Sequence, residues 1–503
     1  MADRRLDTLR HAVRWPVLLR HLGMLGVVLA TLNGVPLVAT VIWGEPAQVA
    51  AYALPLLALL AISLPLARLA APERLQLNEA LAVVVLAFVL GSLVMSIPLA
   101  QAVAGTPGGS LGGWLDGWFE AVSAITSTGL STAATVEDKP ASFLFARAWM
   151  QWYGGLGIVV LSLALFLHNG MFARQLMETE AVGETLVSST KAYARRMLAV
   201  YVVLTLSAVG GLWLATGDGF VALTHGLSAV STGGFSTFDA SVAGWSRLAA
   251  ATALLFSLLG AVSLPLWHRA WQQGWKQGWR EGWRRGPAEL GRDPELRLLL
   301  VATLTIAGLL WLWAPAGEGR AADALLLAMS AQSTTGFAPA NVAALDDASK
   351  LTLIASMLVG GSVGSTAGGF KLLRLLILLR LLQLVLARAA APRHAVLGVH
   401  LQARQVADED LWRVLLVVLL FVGLAFVSWL AFVAHGYPAL DALFEVVSAS
   451  ATVGLSTGIA RPELEPVLKL VLCLAMLAGR LEILALLVLL HPGTWFGKRT
   501  EVA

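Results

Sequence analysis

Cysteine is all but missing: Cys473 is the single one in 503 residues, and it lies in an apolar run. A lone thiol has no partner in the chain, which excludes a disulfide framework and a cysteine-built metal cluster, and Cys473 reads as a packing residue. Charge is scarce as well. Asp, Glu, Lys and Arg together make up 13% of the chain, where soluble domains carry roughly a quarter. Histidine forms no cluster, since His225 and His435 stand isolated, and no HExxH, GxSxG or GxxxxGK[ST] pattern occurs. No acid/base or metal constellation is left for an enzyme, including one working inside a membrane. Gly154-Gly155-Leu156-Gly157 runs on into an apolar span and reads as close helix packing, not as a nucleotide loop. The small net charge of +4 is spread over loops that adjoin apolar segments, so nucleic acid is not an expected partner.

What is present is lipid-compatible sequence: 57% of residues are hydrophobic. Stretches long enough to cross ~30 Å of hydrocarbon recur near 22–43, 46–67, 80–103, 148–167, 197–217, 248–267, 298–317, 351–370, 414–434 and 467–490. The run from Leu22 to Trp43 is too long for a cleavable signal and reads as a retained span. The first two spans form a hairpin about Glu45 and Pro46. The other eight form four pairs, each pair enclosing a shorter semi-apolar segment and then a Gly/Ser/Thr cluster, the pattern of a re-entrant helix followed by an extended loop. The expected architecture is an all-α membrane protein with an amino-terminal hairpin (1–74) and four pseudo-repeats (75–190, 191–290, 291–403 and 404–503) around one central pore. With both termini cytoplasmic, 27 of the 35 Lys and Arg fall inside. The exceptions are Lys139, Arg147, Arg247, Arg320, Lys350, Arg461 and Lys469 outside, and Arg480 within a span. That asymmetry is the positive-inside pattern. Asp116, Glu120, Asp218, Asp323, Asp441 and Glu445 near the re-entrant segments have two readings: a cation-concentrating outer vestibule, or solvated loop charges.

The re-entrant segments align as SAITSTGLST (123–132), SAVSTGGFST (228–237), SAQSTTGFAP (330–339) and SASATVGLST (448–457). In each, a serine is followed six residues later by a glycine, and Gly129, Gly234, Gly336 and Gly454 stand 105, 102 and 118 residues apart. So long a period marks a structural repeat. Thirteen positions before the glycine stand Asp116, Asp323 and Asp441, placed to cap a short helix; Val221 replaces them in the second repeat, with Asp218 three residues earlier. Extended backbone at membrane depth needs a wet cavity or protein around it. Glycine lets successive carbonyls face an axis, where rings of them replace the water around a cation. The short helices would point their negative C-terminal ends the same way. The expected filter comprises Ser127, Thr128 and Gly129; Thr232, Gly233 and Gly234; Thr334, Thr335 and Gly336; and Thr452, Val453 and Gly454. The hydroxyls of Ser127, Thr232, Thr334 and Thr452 either add ligands or bond to backbone.

Gly360, Gly361, Gly364, Gly368 and Gly369 crowd ten residues of the third inner span. They read either as a broken helix whose middle blocks the path or, with Gly360, Gly364 and Gly368 spaced by four, as a helix packing face. Arg480 lies within the last span, where an ionised side chain costs at least ~2.5 kcal/mol and is paired or functional. It reads as a cation beside the conduction path, with a structural pair as the other possibility. Trp271, Trp275, Trp279 and Trp283, interleaved with Lys276, Arg280, Arg284 and Arg285, read as an interfacial anchor or a docking face for a partner.

At STGGFST (231–237), GGLGI (154–158), GGSVGSTAGG (360–369) and GRLEI (479–483) the chain resembles the Trk/Ktr/HKT superfamily of potassium transporters over nearly its whole length, and the extra hairpin is similar to that of the Trk-type pore subunit. The resemblance implies a homodimer in a bacterial-type inner membrane that takes up K⁺, with no cofactor, under a cytosolic nucleotide-binding (NAD/ATP-type) regulatory ring. It also implies that 360–369 is an intramembrane gating loop and that Arg480 is the arginine of the family's last inner helix. All four filter glycines are present, which favours potassium over sodium. An ion-coupled (H⁺ or Na⁺) symporter is the rival reading, with Glu482 as its one candidate midplane acid.

Overall fold

A computed structural model of the chain describes residues 12–71, 75–104, 111–168, 186–276, 288–313, 319–390, 392, 398–401 and 404–496. Their regular structure is helical apart from a two-residue antiparallel pairing of His400–Leu401 with Arg404–Gln405. The amino-terminal hairpin is α1 (Trp15–Leu29), α2 (Thr31–Ile42) and α3 (Pro46–Ala67). Gly44, at φ +67°, turns the chain between α2 and α3. Glu45 in that turn accepts from the free N–H groups of Ala141 (2.7 Å) and Ser142 (3.1 Å), so the hairpin supplies the cap of a helix in the next unit.

Four units follow, each a long helix, a short helix, a non-helical segment and a second long helix. They are α4 (Leu77–Ala104), α5 (Leu111–Ile125) and α6 (Ala141–His168); α7 (Leu186–Thr216), α8 (Gly219–Val230), α9 (Arg247–Gly260) and α10 (Leu264–Lys276); α11 (Pro294–Trp313), α12 (Arg320–Gln332), α13 (Asp347–Val359) and α14 (Leu372–Ala390); and α15 (Asp408–Ala434), α16 (Ala439–Ser450), α17 (Pro466–Arg480) and α18 (Leu484–Leu490). In every unit the first long helix packs on its own short helix. The second long helix packs on the short helix of the next unit: α6 on α8, α9 on α12, α13 on α16, and α17 back on α5. The units therefore close into a ring whose core is the set of short helices. Outer faces stay apolar, with Leu214 85% and Leu419 69% exposed, as lipid-facing helices require. Among the described residues, six helices are long and apolar enough to span a membrane, or up to eight when each bent pair counts as one.

Within the described residues, each of the ten predicted spans falls at least partly on helix, but four are interrupted, the 22–43 span only at Ala30 between α1 and α2. The 248–267 span bends by 88° between α9 and α10, and the 467–490 span by 113° between α17 and α18. The 351–370 span stops as a helix at Val359. Arg480 consequently sits at the end of a helix, not within a continuous span. The aspartate caps are corrected too. Asp116, Asp323 and Asp441 lie inside α5, α12 and α16, and the residue that caps is Asp218, which accepts from Phe220 N (2.7 Å) and Val221 N (3.0 Å). Asp116 pairs instead with Lys469 of α17, and Asp441 with Lys350 of α13 at 2.7 Å, each across a contact between units. Of the tryptophan stripe, Trp271 is 40% exposed on α10, which turns sharply away from α9; Trp279, Trp283, Arg280, Arg284 and Arg285 lie outside the described residues.

Candidate functional site

The four short helices end alike, and the ending makes the site. The N–H of Thr128 reaches Ser123 O (2.8 Å) while that of Ser127 reaches Ala124 O (2.9 Å); Gly233 and Thr232, Thr335 and Thr334, and Val453 and Thr452 repeat the pair with Ser228 and Ala229, Ser330 and Ala331, and Ser448 and Ala449. This is a Schellman ending, whose left-handed residue is ordinarily glycine. Here that residue is Ser127 (φ +48°), Thr232 (+52°), Thr334 (+55°) or Thr452 (+50°). Such a conformation costs a non-glycine residue on the order of 1–3 kcal/mol and persists only when the surroundings enforce it. Gly129, Gly234, Gly336 and Gly454 return to positive φ two residues later, whereas Thr128, Gly233, Thr335 and Val453 between them do not. Handedness thus alternates along each segment.

The segments meet in a closed ring. A methyl group on Gly129 would overlap Gly233 O, one on Gly234 would overlap Thr335 O, one on Gly336 would overlap Val453 O, and one on Gly454 would overlap Thr128 O. All four glycines also line a single cavity of about 490 Å³. Its charged lining residues are Arg147 and Asp239. Of the six acids read as vestibule or solvated loop charges, Asp116, Asp441 and Glu120 are in ion pairs, Asp218 is a cap, and Glu120 and Glu445 are fully buried, leaving Asp323 exposed on α12. The hydroxyls divide: Thr232 donates to Ser231 O at 2.7 Å and Thr334 accepts from Gly368 N at 2.7 Å, while those of Ser127 and Thr452 are buried without a partner.

The sequence reading passed over the residues that brace this ring. Ser123 and Ser448 accept at Oγ from Gly129 N and Gly454 N, both at 3.0 Å, so in the first and fourth units this serine binds the turn twice, through its carbonyl and its hydroxyl, whereas Ser330 Oγ is buried without a partner. In the second unit Ser228 donates to Gln151 Oε1 (2.7 Å), and Gln151 Nε2 donates to Gly233 O (2.5 Å). The signal was visible, since the serine is constant in all four segments.

On the far side of the ring from the cavity, residues 360–371 are non-helical, with Gly360, Gly364 and Gly369 at positive φ, so the helix-face reading of these glycines is excluded. Gly361 packs against Ala261 of the second unit. Thr366 Oγ1 donates to Val230 O (2.9 Å), Gly368 N to Thr334 Oγ1 (2.7 Å) and Gly369 N to Ala451 O (3.1 Å), so the loop lies against the ends of α8, α12 and α16. Gln332 Nε2 holds Gly360 O at 2.7 Å. Arg480, 3% exposed, donates to Thr366 O at 2.7 Å and to Gly154 O at 3.5 Å, tying the loop to α6. Glu482 pairs with Arg374 of α14 at 2.7 Å. Gly154 and Gly155 lie against Ile125 O and Ser231, as close packing requires.

A family described as "Cation transport protein", TrkH, matches residues 99–493. The chain belongs to the TrkH family. Within the family's reach, it is 29% identical over 402 residues to the Trk system potassium uptake protein TrkH of Escherichia coli K12, covering 75% of this chain and 78% of that one. It is 28% identical over 425 residues to an uncharacterized cation transporter of Methanocaldococcus jannaschii, with 84% of both chains covered. The crystal structure of the potassium transporter TrkH from Vibrio parahaemolyticus superposes with a TM-score of 0.83 at 25% identity, covering 96% of this chain and all of that one. The family is one of transport and not an enzyme class. This TrkH-family chain is accordingly a multi-span membrane protein for cation transport.

Proposed function

We propose that the protein takes K⁺ into the cell across the cytoplasmic membrane through the axis of the four-unit ring. The observation that carries this reading is the closed ring of Gly129, Gly234, Gly336 and Gly454 at the floor of one cavity. The backbone oxygens of residues 127–129, 232–234, 334–336 and 452–454 replace water around the ion, and the unpartnered hydroxyls of Ser127 and Thr452 are further ligands. The four helix ends direct their negative dipoles to the same place. Potassium is named by the relatives in Escherichia coli and Vibrio parahaemolyticus.

The loop 360–369 is the gate, and Arg480 holds it shut by bonding Thr366 O and by setting a positive charge in the cation's way. Both termini face the cytoplasm, each of the blocks 75–190, 191–290, 291–403 and 404–503 is one quadrant, and the working unit is a homodimer controlled by a cytosolic nucleotide-binding ring. A coupled symporter is less well supported, because Glu482, its one candidate acid, is engaged by Arg374. The test is uptake of K⁺, Rb⁺ and Na⁺ into liposomes holding the full chain, with and without a proton gradient. Passive uptake that prefers K⁺ is expected; uptake that requires the proton or sodium gradient would replace the channel-like reading by the symporter.

A further inference from the structure

Nine residues before the filter glycines stand Glu120, His225, Leu327 and Glu445. The first, second and fourth are fully buried polar groups, and each reaches the same place, the second and third residues after the filter glycine of its own unit. Glu120 Oε1 accepts from Ser131 Oγ (2.5 Å) and Thr132 N (2.8 Å), and its Oε2 forms a buried ion pair with Arg147 at 3.1 Å. Glu445 accepts from Ser456 Oγ (2.8 Å), Thr457 N (3.0 Å), Thr457 Oγ1 (3.2 Å) and Ala460 N (3.0 Å). His225 Nδ1 lies 2.9 Å from Val221 O, which can only accept, so the proton is on Nδ1 and Nε2 is the acceptor facing Ser236 Oγ (3.1 Å) and Thr237 N (3.4 Å).

The third unit breaks the pattern on both sides at once. Where Ser-Thr stand two and three residues after the glycine in the other units, Ala338-Pro339 stand after Gly336, and the matching bracing position is Leu327. Proline has no N–H to offer, and leucine has nothing to accept with. The tie comes from the neighbouring unit instead: Ala338 N donates to Ser241 Oγ (3.0 Å) and Val242 N donates to Ala338 O (3.3 Å). Ser241 adopts φ +56° to do so. A polar brace is therefore present where the rim offers donors and missing where it does not, within one chain. General apolar packing would not produce that match, because a buried carboxylate is tolerated only where its hydrogen bonds are made.

We propose that Glu120, His225 and Glu445, with Ser241 serving the third quadrant, are positioning residues that set how strictly the filter discriminates among alkali cations, by fixing its outer rim. The proposal rests on the reading of 127–129, 232–234, 334–336 and 452–454 as a potassium filter. Cation discrimination needs oxygen positions held against the collapse that a smaller ion invites, and a rim tied to one buried acceptor by several bonds resists it. Glu445→Gln keeps the shape but turns one acceptor into a donor facing N–H groups, so at least one bond is lost.

The experiment is initial-rate uptake of K⁺, Rb⁺ and Na⁺ by full-length protein in liposomes, for wild type, Glu445→Gln, Glu120→Gln and Ser241→Gly, with Asp138→Asn on the exposed loop as control. The glycine variant removes the hydroxyl while tolerating the left-handed backbone. Loss of one charge-assisted bond should lower the K⁺:Na⁺ rate ratio by about five-fold or more in the glutamate variants, and Ser241→Gly should lower it in the same direction. A brace that serves folding alone would cut all three rates in proportion. Ratios within two-fold of wild type in monodisperse Glu445→Gln or Glu120→Gln protein would overturn the proposal. Wild type that does not prefer K⁺ at all would instead defeat the filter reading on which it rests.

Discussion

Each filter glycine stands where a methyl group would meet a peptide oxygen of the next unit, and two residues before it a Ser or Thr is held in a left-handed conformation. Both features leave little room for substitution. Gly336→Ala adds a methyl against Val453 O at a φ of +87°, and the expected outcome is a K⁺ uptake rate at least about ten-fold lower, given a penalty of 1–3 kcal/mol for such strain; liposome flux reads it. At this scale the sequence was informative about the glycines, because they recur in register, and less so about their supports. Glu120 and Glu445 read as vestibule charges since sequence alone does not tell an acid aimed at solvent from one aimed at backbone N–H groups. Gln151 carries no repeated signal at all, and only its distance of 2.5 Å to Gly233 O reveals its part.

Helix boundaries are set by local chemistry that the sequence partly discloses. Asp218 is the one side chain among the short helices' first turns seen to accept from free N–H groups, so Asp218→Ala should destabilise α8 by about 1 kcal/mol, measured as a lowered thermal midpoint in detergent. The glycine-dense break after Val359 could be anticipated from composition, although the spacing by four argued equally for a packing face. The other two breaks could not. Residues 261–263 and 481–483 are mostly apolar; at the first break another chain segment approaches, with Ser362 N bonding to Ala261 O and Leu264 N to Gly364 O, and at the second Glu482 stands at φ +52° and pairs with Arg374. Arg480 ends α17 at the second of these breaks. Arg480→Gln removes the charge and its bond to Thr366 O, so cation flux should rise several-fold in folded protein; equal or lower flux would count against a gating role.

The ring as a whole is held by contacts from each unit to the next, and two of the four carry a Lys–Asp pair, Lys350 with Asp441 and Lys469 with Asp116. Both lysines are nearly buried, so removing one partner strands a charge. Lys350→Met should destabilise the protein by about 1–3 kcal/mol, and Lys350→Met combined with Asp441→Leu should recover most of that loss; a double-mutant cycle on thermal midpoints reads the coupling. The closed arrangement followed from the period of the repeat, but these two lysines were legible in sequence only as outward-facing charge. Which long helix would touch which short one was not written in any single segment, because it depends on the handedness with which the chain goes round.

Residues 360–369 are fastened on several sides at once: to Val230 O of the second unit, to Thr334 of their own unit, to Ala451 of the fourth, and to the guanidinium of Arg480. If this loop is the gate proposed above, its opening is a lopsided act, closer to a trapdoor than to an iris. Because the fastenings share one short strand of chain, releasing one loosens the rest, and a gate built this way should behave as a switch with two positions and not as a dial. The natural handle is α14, which runs on directly from the loop and is itself tied to the fourth unit through Arg374 and Glu482.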